Sequence, residues 1–184
     1  MSGYTEEYYR EHPAGEYTRN HHWLRHFDMV ARSIIRQRNP TTVFDAGCAL
    51  GILVERLREH GVSAWGCDLS DYAITQARAD IAPYLRVASI TQPLKRRYDI
   101  ITCIEVVEHC PENVAVAGIA NLCQHTDVFL FSSSPDDTRD ETHINLHGPD
   151  YWRALFEFNG FEEDAQITAT WLVPWARWYV RLEN

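Results

Sequence analysis

The chain lacks both G-x-G-x-x-G and G-x-x-x-x-G-K-[ST], so no glycine turn in it encodes a dinucleotide site or a P-loop. It also lacks a C-x-x-C pair. Its five cysteines (Cys48, Cys67, Cys103, Cys110, Cys123) are spread along the chain, three of them in or beside apolar strand-like runs. That placement reads as small buried hydrophobes in a reducing compartment rather than a disulfide framework. No uninterrupted apolar stretch approaches membrane-spanning length, and Met1 to Glu7 is polar and acidic, so the expected location is cytoplasmic with no membrane partner. Basic residues are scarce: 17 Lys and Arg face 26 Asp and Glu, a net charge of −9. Such a balance argues against a nucleic-acid backbone as main partner, which needs a dense cationic face. The one basic cluster, Lys95-Arg96-Arg97, reads as a solvated turn. Repeats and low-complexity segments are absent too.

What is present is a single domain's worth of chain, 184 residues with 45% hydrophobic content. Trp23, Phe27, Val30, Ala31, Ile34 and Ile35 recur at helical spacing until Asn39-Pro40 stops the pattern. Short β-rich runs then alternate with helical ones. The spacing predicts strands at 42–46, 62–67, 84–88, 98–104 and 127–132, and helices at 50–60, 70–80, 111–122 and 148–159. Gly61 and Gly160 are placed as helix C-terminal caps. This alternation implies βαβ crossovers, hence an α/β Rossmann-like doubly wound, mostly parallel sheet. The tail from Phe161 reads as two strand-like stretches split by Trp171-Leu172-Val173-Pro174-Trp175. Trp171, Trp175 and Trp178 are expected to cover the sheet, an exposed share of them pointing instead to a homodimer surface.

The most informative stretch is Val43-Phe44-Asp45-Ala46-Gly47-Cys48-Ala49-Leu50-Gly51. An apolar strand ends in an acid, then two glycines four residues apart precede a helical run. A turn without Cβ at its tightest points lets a ligand lie against backbone, facing the N–H groups of the new helix. Asp68 ends the next strand, 23 residues after Asp45, and Glu105 ends the fourth. Ligands of open parallel sheets sit beyond such strand ends. Either acid alone would suffice as a helix cap. Two of them around a glycine turn, followed by Asp99 and Glu105, are read as a cofactor site.

The D-x-G-C-x-x-G arrangement resembles the first motif of class I S-adenosylmethionine-dependent methyltransferases. The resemblance implies a seven-stranded sheet closed by a C-terminal antiparallel hairpin. It divides the chain into a lid and helix (1–40), a cofactor half (41–135), and an acceptor side with the hairpin (136–184). It assigns Asp68 to the ribose, and Asp45, Ala46, Gly47, Cys48 and Gly51 to the methionine portion of S-adenosylmethionine, with Leu69 also among the cofactor-binding residues. Ser89 and Ile90 fall beside adenine, where Ser89 departs from the acid often found there, and Ile104 and Glu105 complete the pocket. Tyr8-Tyr9 is similar to the N-terminal lid of bacterial glycan and natural-product methyltransferases, as is His143-Ile144-Asn145 leading into Tyr151 to Phe161.

Methyl transfer is an in-line displacement, which requires alignment and, for a hydroxyl acceptor, removal of one proton. Glu105-Val106-Val107-Glu108-His109-Cys110 follows the fourth strand, and His109 and His143 are the candidate bases, with Glu108 beside them. Both histidines also admit a surface or capping role. Glu105-x-x-Glu108-His109 with His143 resembles in addition the metal set of small-RNA 2′-O-methyltransferases. The acidic charge and the wide occurrence of Glu-x-x-Glu-His leave the metal-free reading preferred, and no metal is assigned. An Asn/Asp-Pro-Pro-Tyr motif, the mark of nucleobase amino methylation, is absent, Ser133-Ser134-Pro135-Asp136 being the nearest run. The expectation is therefore O-methylation of a small-molecule acceptor, with a non-catalytic interaction module as the alternative from another class.

Overall fold

A computed structural model describes residues 4–11 and 15–182; the expected acidic N-terminus lies partly outside them, at Met1 to Gly3. Two compact units divide the chain at Ser89 and Ile90. The first opens with α1 (Glu6–Arg10) and α2 (His21–Arg38), whose C-cap Asn39 adopts a left-handed conformation just before Pro40. Then come β1 (Thr42–Ala46), α3 (Ile52–Glu59), β2 (Ser63–Asp68), α4 (Asp71–Thr75) and β3 (Leu85–Val87). β1 and β2 run parallel with Asp45 opposite Gly66, and β3 pairs parallel to β2 with Val87 opposite Asp68. α4 is shorter than the expected 70–80 helix. Thr75 turns its hydroxyl onto the Tyr72 carbonyl, and Arg78 reaches Glu55, Glu59 and Asp80, contacts that favour an irregular segment after Thr75.

The second unit comprises β4 (Ile100–Ile104), α5 (Glu112–Cys123), β5 (Val128–Ser132), α6 (Pro149–Phe158), β6 (Phe161–Glu163) and β7 (Arg177–Arg181). β5 lies parallel to β4, while β7 pairs antiparallel with both β5 and β6. Phe129, Phe156, Phe161, Trp178 and Tyr179 are fully buried there, with the Phe156 and Tyr179 rings stacked at 3.9 Å. Trp178 is thus core as expected, whereas Trp171 and Trp175 are half-buried. The strand order β3-β2-β1-β4-β5-β7-β6 makes a seven-stranded mixed sheet, parallel except for the closing hairpin, as the resemblance implies. All five cysteines are buried free thiols. Among the described residues no helix is long and apolar enough to cross a membrane.

Candidate functional site

The turn after β1 is held by backbone hydrogen bonds, two of them to β2. Gly47 N and Cys48 N both donate to the Cys67 carbonyl (2.8 and 2.9 Å), and Gly51 N donates to Cys48 O (2.8 Å). Gly47 and Gly51 take φ of 81° and 71°, the left-handed region that glycine enters without penalty. Neither strand-end acid caps a helix, since the N-cap positions of α3 and α4 are Gly51 and Ser70. Asp68 instead ties the turn to β2: its Oδ2 accepts from Ala49 N and its Oδ1 from Ser70 N, both at 2.8 Å. Burial pushes its pKa up, and these backbone N–H groups counter the shift. Ala49, at φ 45°, is held left-handed where it makes this contact. Asp45 is buried, Leu69 exposed and Ser89 half-buried.

Gly66 contributes in a way sequence reasoning missed. A Cβ there would stand 2.7 Å from Cys48 Cβ and 3.1 Å from the Asp45 carbonyl, so the turn packs onto bare β2 backbone. Missed as well was Tyr17. α1 lies against Leu50, Ile52, Ala73 and Tyr72, with Tyr9 buried among them and Tyr17 packed alongside. Burial, then the neighbouring carboxylates, raise both phenols: Asp68 acts on Tyr9 and Asp45 on Tyr17. Ser70 Oγ fastens this segment by donating to the Tyr4 carbonyl (2.6 Å). The Tyr8-Tyr9 segment, expected as a lid, packs beside the turn. Behind it, buried Glu55 receives Arg19 bidentately (2.9 and 2.8 Å) together with Arg78 (3.1 Å). Burial alone would raise the Glu55 pKa, and the Arg19 and Arg56 guanidiniums pull it below the ordinary value.

In the second unit, β4 ends at half-buried Ile104, and Glu105 follows at φ 52°. A non-glycine residue in that region is strained by about 1–2 kcal/mol, which points to a constrained position. Glu105 N donates to Ser132 O (3.0 Å), and its Oε1 accepts from Trp175 Nε1 (2.9 Å). Trp175 thus binds an acid rather than merely covering the sheet. The Ile90 side chain packs against Gly118 of α5, and its carbonyl accepts from Asn121 Nδ2 (2.8 Å).

A 3₁₀ turn, Val107–His109, carries the Glu-x-x-Glu-His segment. Glu108 is fully buried, with Oε1 accepting from Ser134 N (3.1 Å) and Oε2 without a well-formed hydrogen bond among the described residues. Its pKa is pushed up to about 8, by burial first and by neighbouring Glu105 second. The loop bearing His143 is clamped to this turn. Ile144 N and Asn145 N donate to Glu108 O (2.9 and 3.0 Å), and Asn145 Nδ2 donates to Val107 O (3.0 Å). His109 and His143 consequently meet with ring centroids 4.6 Å apart. One ligand-type atom from each of Glu108, His109 and His143 lies within 4.8 Å of the others. Neither histidine caps a following helix, because the N-caps of α5 and α6 are Pro111 and Gly148.

A family profile described as a methyltransferase domain matches residues 17–166. A ubiquinone biosynthesis O-methyltransferase from Nitrosomonas europaea is 34% identical over 91 residues, 45% of this chain and 39% of that protein. The chain thus spans less than half the length of that curated relative. Magnesium protoporphyrin IX methyltransferase from Synechocystis PCC 6803, crystallised with bound S-adenosylmethionine, superposes with TM-score 0.66 at 24% identity, covering 87% of this chain and 80% of that one. A sugar N-methyltransferase from Streptoalloteichus sp ATCC 53650 superposes equally well (TM-score 0.66, 15% identity, 86% and 87% coverage). Those two likenesses carry the fold, and the profile covers most of the chain, including the glycine turn, both strand-end acids and the histidine pair. The chain belongs to the class I S-adenosylmethionine-dependent methyltransferases.

Proposed function

We propose that the protein methylates a hydroxyl of a small acceptor, such as a sugar or related metabolite, using S-adenosylmethionine. The observation that carries this reading is the clamped pair His109 and His143 beside buried Glu108 at the end of β4. The residues of the turn suit the cofactor chemically. Between Val43 and Ile52 there is no Lys or Arg to meet a phosphate, while Asp45 and Asp68 would repel one. A ligand with an ammonium, a sulfonium and a ribose diol matches acids instead. Asp68 would accept the ribose hydroxyls with Leu69 alongside. Asp45, Ala46, Gly47, Cys48 and Gly51 would line the methionine end, and Ser89, the Ile90 backbone, Ile104 and Glu105 the remainder. The cofactor supplies a methyl group on a sulfonium. One histidine takes the acceptor proton, a role suited to an imidazole near neutral pH. In this reading residues 1–184 work as one catalytic domain in a reducing, cytoplasmic setting, which the five free thiols support.

A second reading has one observation in its favour. Glu108, His109 and His143 offer a carboxylate and two imidazoles within 4.8 Å, a set able to hold a divalent ion that would activate the acceptor hydroxyl, as in the small-RNA type of site. One screen tests both: the purified protein with methyl-labelled cofactor against sugar, nucleotide-sugar and small-RNA acceptors, with and without chelator. Label on a small hydroxyl acceptor that persists in chelator supports the first reading. Chelator-sensitive transfer restored by a divalent ion replaces it with the second. Cofactor binding without transfer to any acceptor would favour a non-catalytic module.

A further inference from the structure

We propose that Thr142 and Asp140 are positioning residues that fix which ring nitrogen of His109 carries the proton. The proposal rests on His109 acting at the acceptor site and adds how the fold prepares it. Thr142 Oγ1 lies 2.6 Å from Asp140 Oδ1, an oxygen that also accepts from Thr142 N at 2.9 Å. An ionised carboxylate only accepts, so two oxygens at 2.6 Å need the hydroxyl hydrogen between them. That hydrogen is the only one the hydroxyl has. The 2.8 Å contact from the same oxygen to His109 Nδ1 must then use an Nδ1–H, with Thr142 accepting. His109 is thereby held as the Nδ1–H tautomer, with Nε2 as its basic nitrogen. Asp140 is buried, which shields the relay from competing water.

The neighbouring ring is set the same way by a different group. His143 Nδ1 lies 2.6 Å from the Asp137 carbonyl, which accepts only, so His143 also carries its proton on Nδ1. Two adjacent imidazoles thus present the same basic nitrogen. Taking a proton at Nε2 and binding a divalent ion at Nε2 require the same tautomer, so the relay serves either reading of the site. It depends on Thr142 through one hydroxyl, whereas the loop's anchorage depends on Ile144, Asn145 and the Glu108 carbonyl. Thr142→Val should therefore remove the relay and leave the loop in place.

The test uses the full chain labelled with ¹⁵N-histidine, at a pH where the ring is neutral, in chelator. Long-range ¹H–¹⁵N spectra should show His109 protonated at Nδ1 in the parent protein. They should show a shift towards the Nε2–H form in Thr142→Val and recovery in Thr142→Ser. On the acceptor found by screening, Thr142→Val should lower kcat by about 10–100-fold, as loss of a group that orients a functional histidine does, with Thr142→Ser largely restoring it and the cofactor KM unchanged. A parent spectrum with His109 protonated at Nε2, or a tautomer identical in Thr142→Val, overturns the proposal. Full turnover in His109→Gln would overturn the base assignment beneath it, while the spectrum judges the relay by itself.

Discussion

The turn after β1 and the histidine cluster after β4 are built in opposite ways. Asp45 and Asp68 are 23 residues apart on paired strands, and Asp68 takes Ala49 N from the intervening turn and Ser70 N from just beyond β2. The cluster draws Glu105 to Trp175 across 70 positions and His109 to Thr142 across 33, through loops rather than ladders. Both carry a non-glycine residue in the left-handed region, Ala49 and Glu105, so both hold backbone strain where a ligand would bind. The difference is in what maintains the geometry. Strand pairing, glycines and the Asp68 carboxylate on the strand end preserve the first, while a handful of hydrogen bonds between distant loops preserve the second. Substitutions should accordingly damage binding in one region and rate in the other.

The largest effect is expected at Asp68. In the proposed site Asp68→Ala removes the acceptor for two ribose hydroxyls, about 1–3 kcal/mol each, and should weaken S-adenosylmethionine by roughly 30- to 3×10⁴-fold in calorimetry. The variant also frees Ala49 N and Ser70 N, so the turn should loosen, a consequence invisible before the structure. Asp68→Asn, which keeps one carbonyl acceptor, should lose less. Parent-like affinity in a folded Asp68→Ala would remove Asp68 from the cofactor site.

On the other side of the contrast, replacing His109 and His143 together with Gln should lower turnover by about 10²–10⁴-fold while cofactor affinity stays at the parent value. Binding lost together with turnover would mean that the two regions do not divide the work. Near-normal turnover would remove both histidines from the proton-transfer step.

The same contrast explains what was legible in the sequence. The strand-turn-helix around Asp45 and Gly47 and Asp68 at the end of β2 follow from local patterns, and the C-terminal hairpin from the family resemblance; all stand where expected. α4 fell short because tertiary contacts of Arg78 competed with helix propensity. Glu55 with its three arginines, Tyr17, the relay through Thr142 and Asp140, and the Trp175 bond to Glu105 were not legible. Each joins residues that only the folded chain brings together. Gly66 gave no signal because a glycine inside a strand has no motif of its own; its reason is the Cys48 side chain above it.

Buried Glu108 gives a pH signature that belongs to the second region. Its pKa rises from an ordinary 4.5 to about 8 on folding. Between those values the unfolded chain has released this proton and the folded chain keeps it, so each step up in pH within the window favours unfolding. The contribution is at most about 1.4 kcal/mol per pH unit. Thermal unfolding in chelator should show the parent losing stability from pH 5 to pH 8 more steeply than Glu108→Gln, which has no proton to release. Parallel profiles would mean that Glu108 is ionised in the folded protein.

The smallest effects separate two glycines of the first region. Gly66→Ala places its Cβ 2.7 Å from Cys48 Cβ and 3.1 Å from the Asp45 carbonyl, short stems and backbone that cannot swing away. The turn must shift, lowering stability by about 1–3 kcal/mol and weakening the cofactor with it. Among the described residues Gly61→Ala meets nothing within 4 Å, and its penalty is a φ of 85° at the end of α3. That penalty is about 1–2 kcal/mol, and it acts on the helix end alone. Denaturant midpoints should therefore fall for both variants, and cofactor affinity for Gly66→Ala only. Equal loss of affinity in Gly61→Ala would show that the geometry of the turn depends on the far end of α3, and its description as a locally determined site would fail.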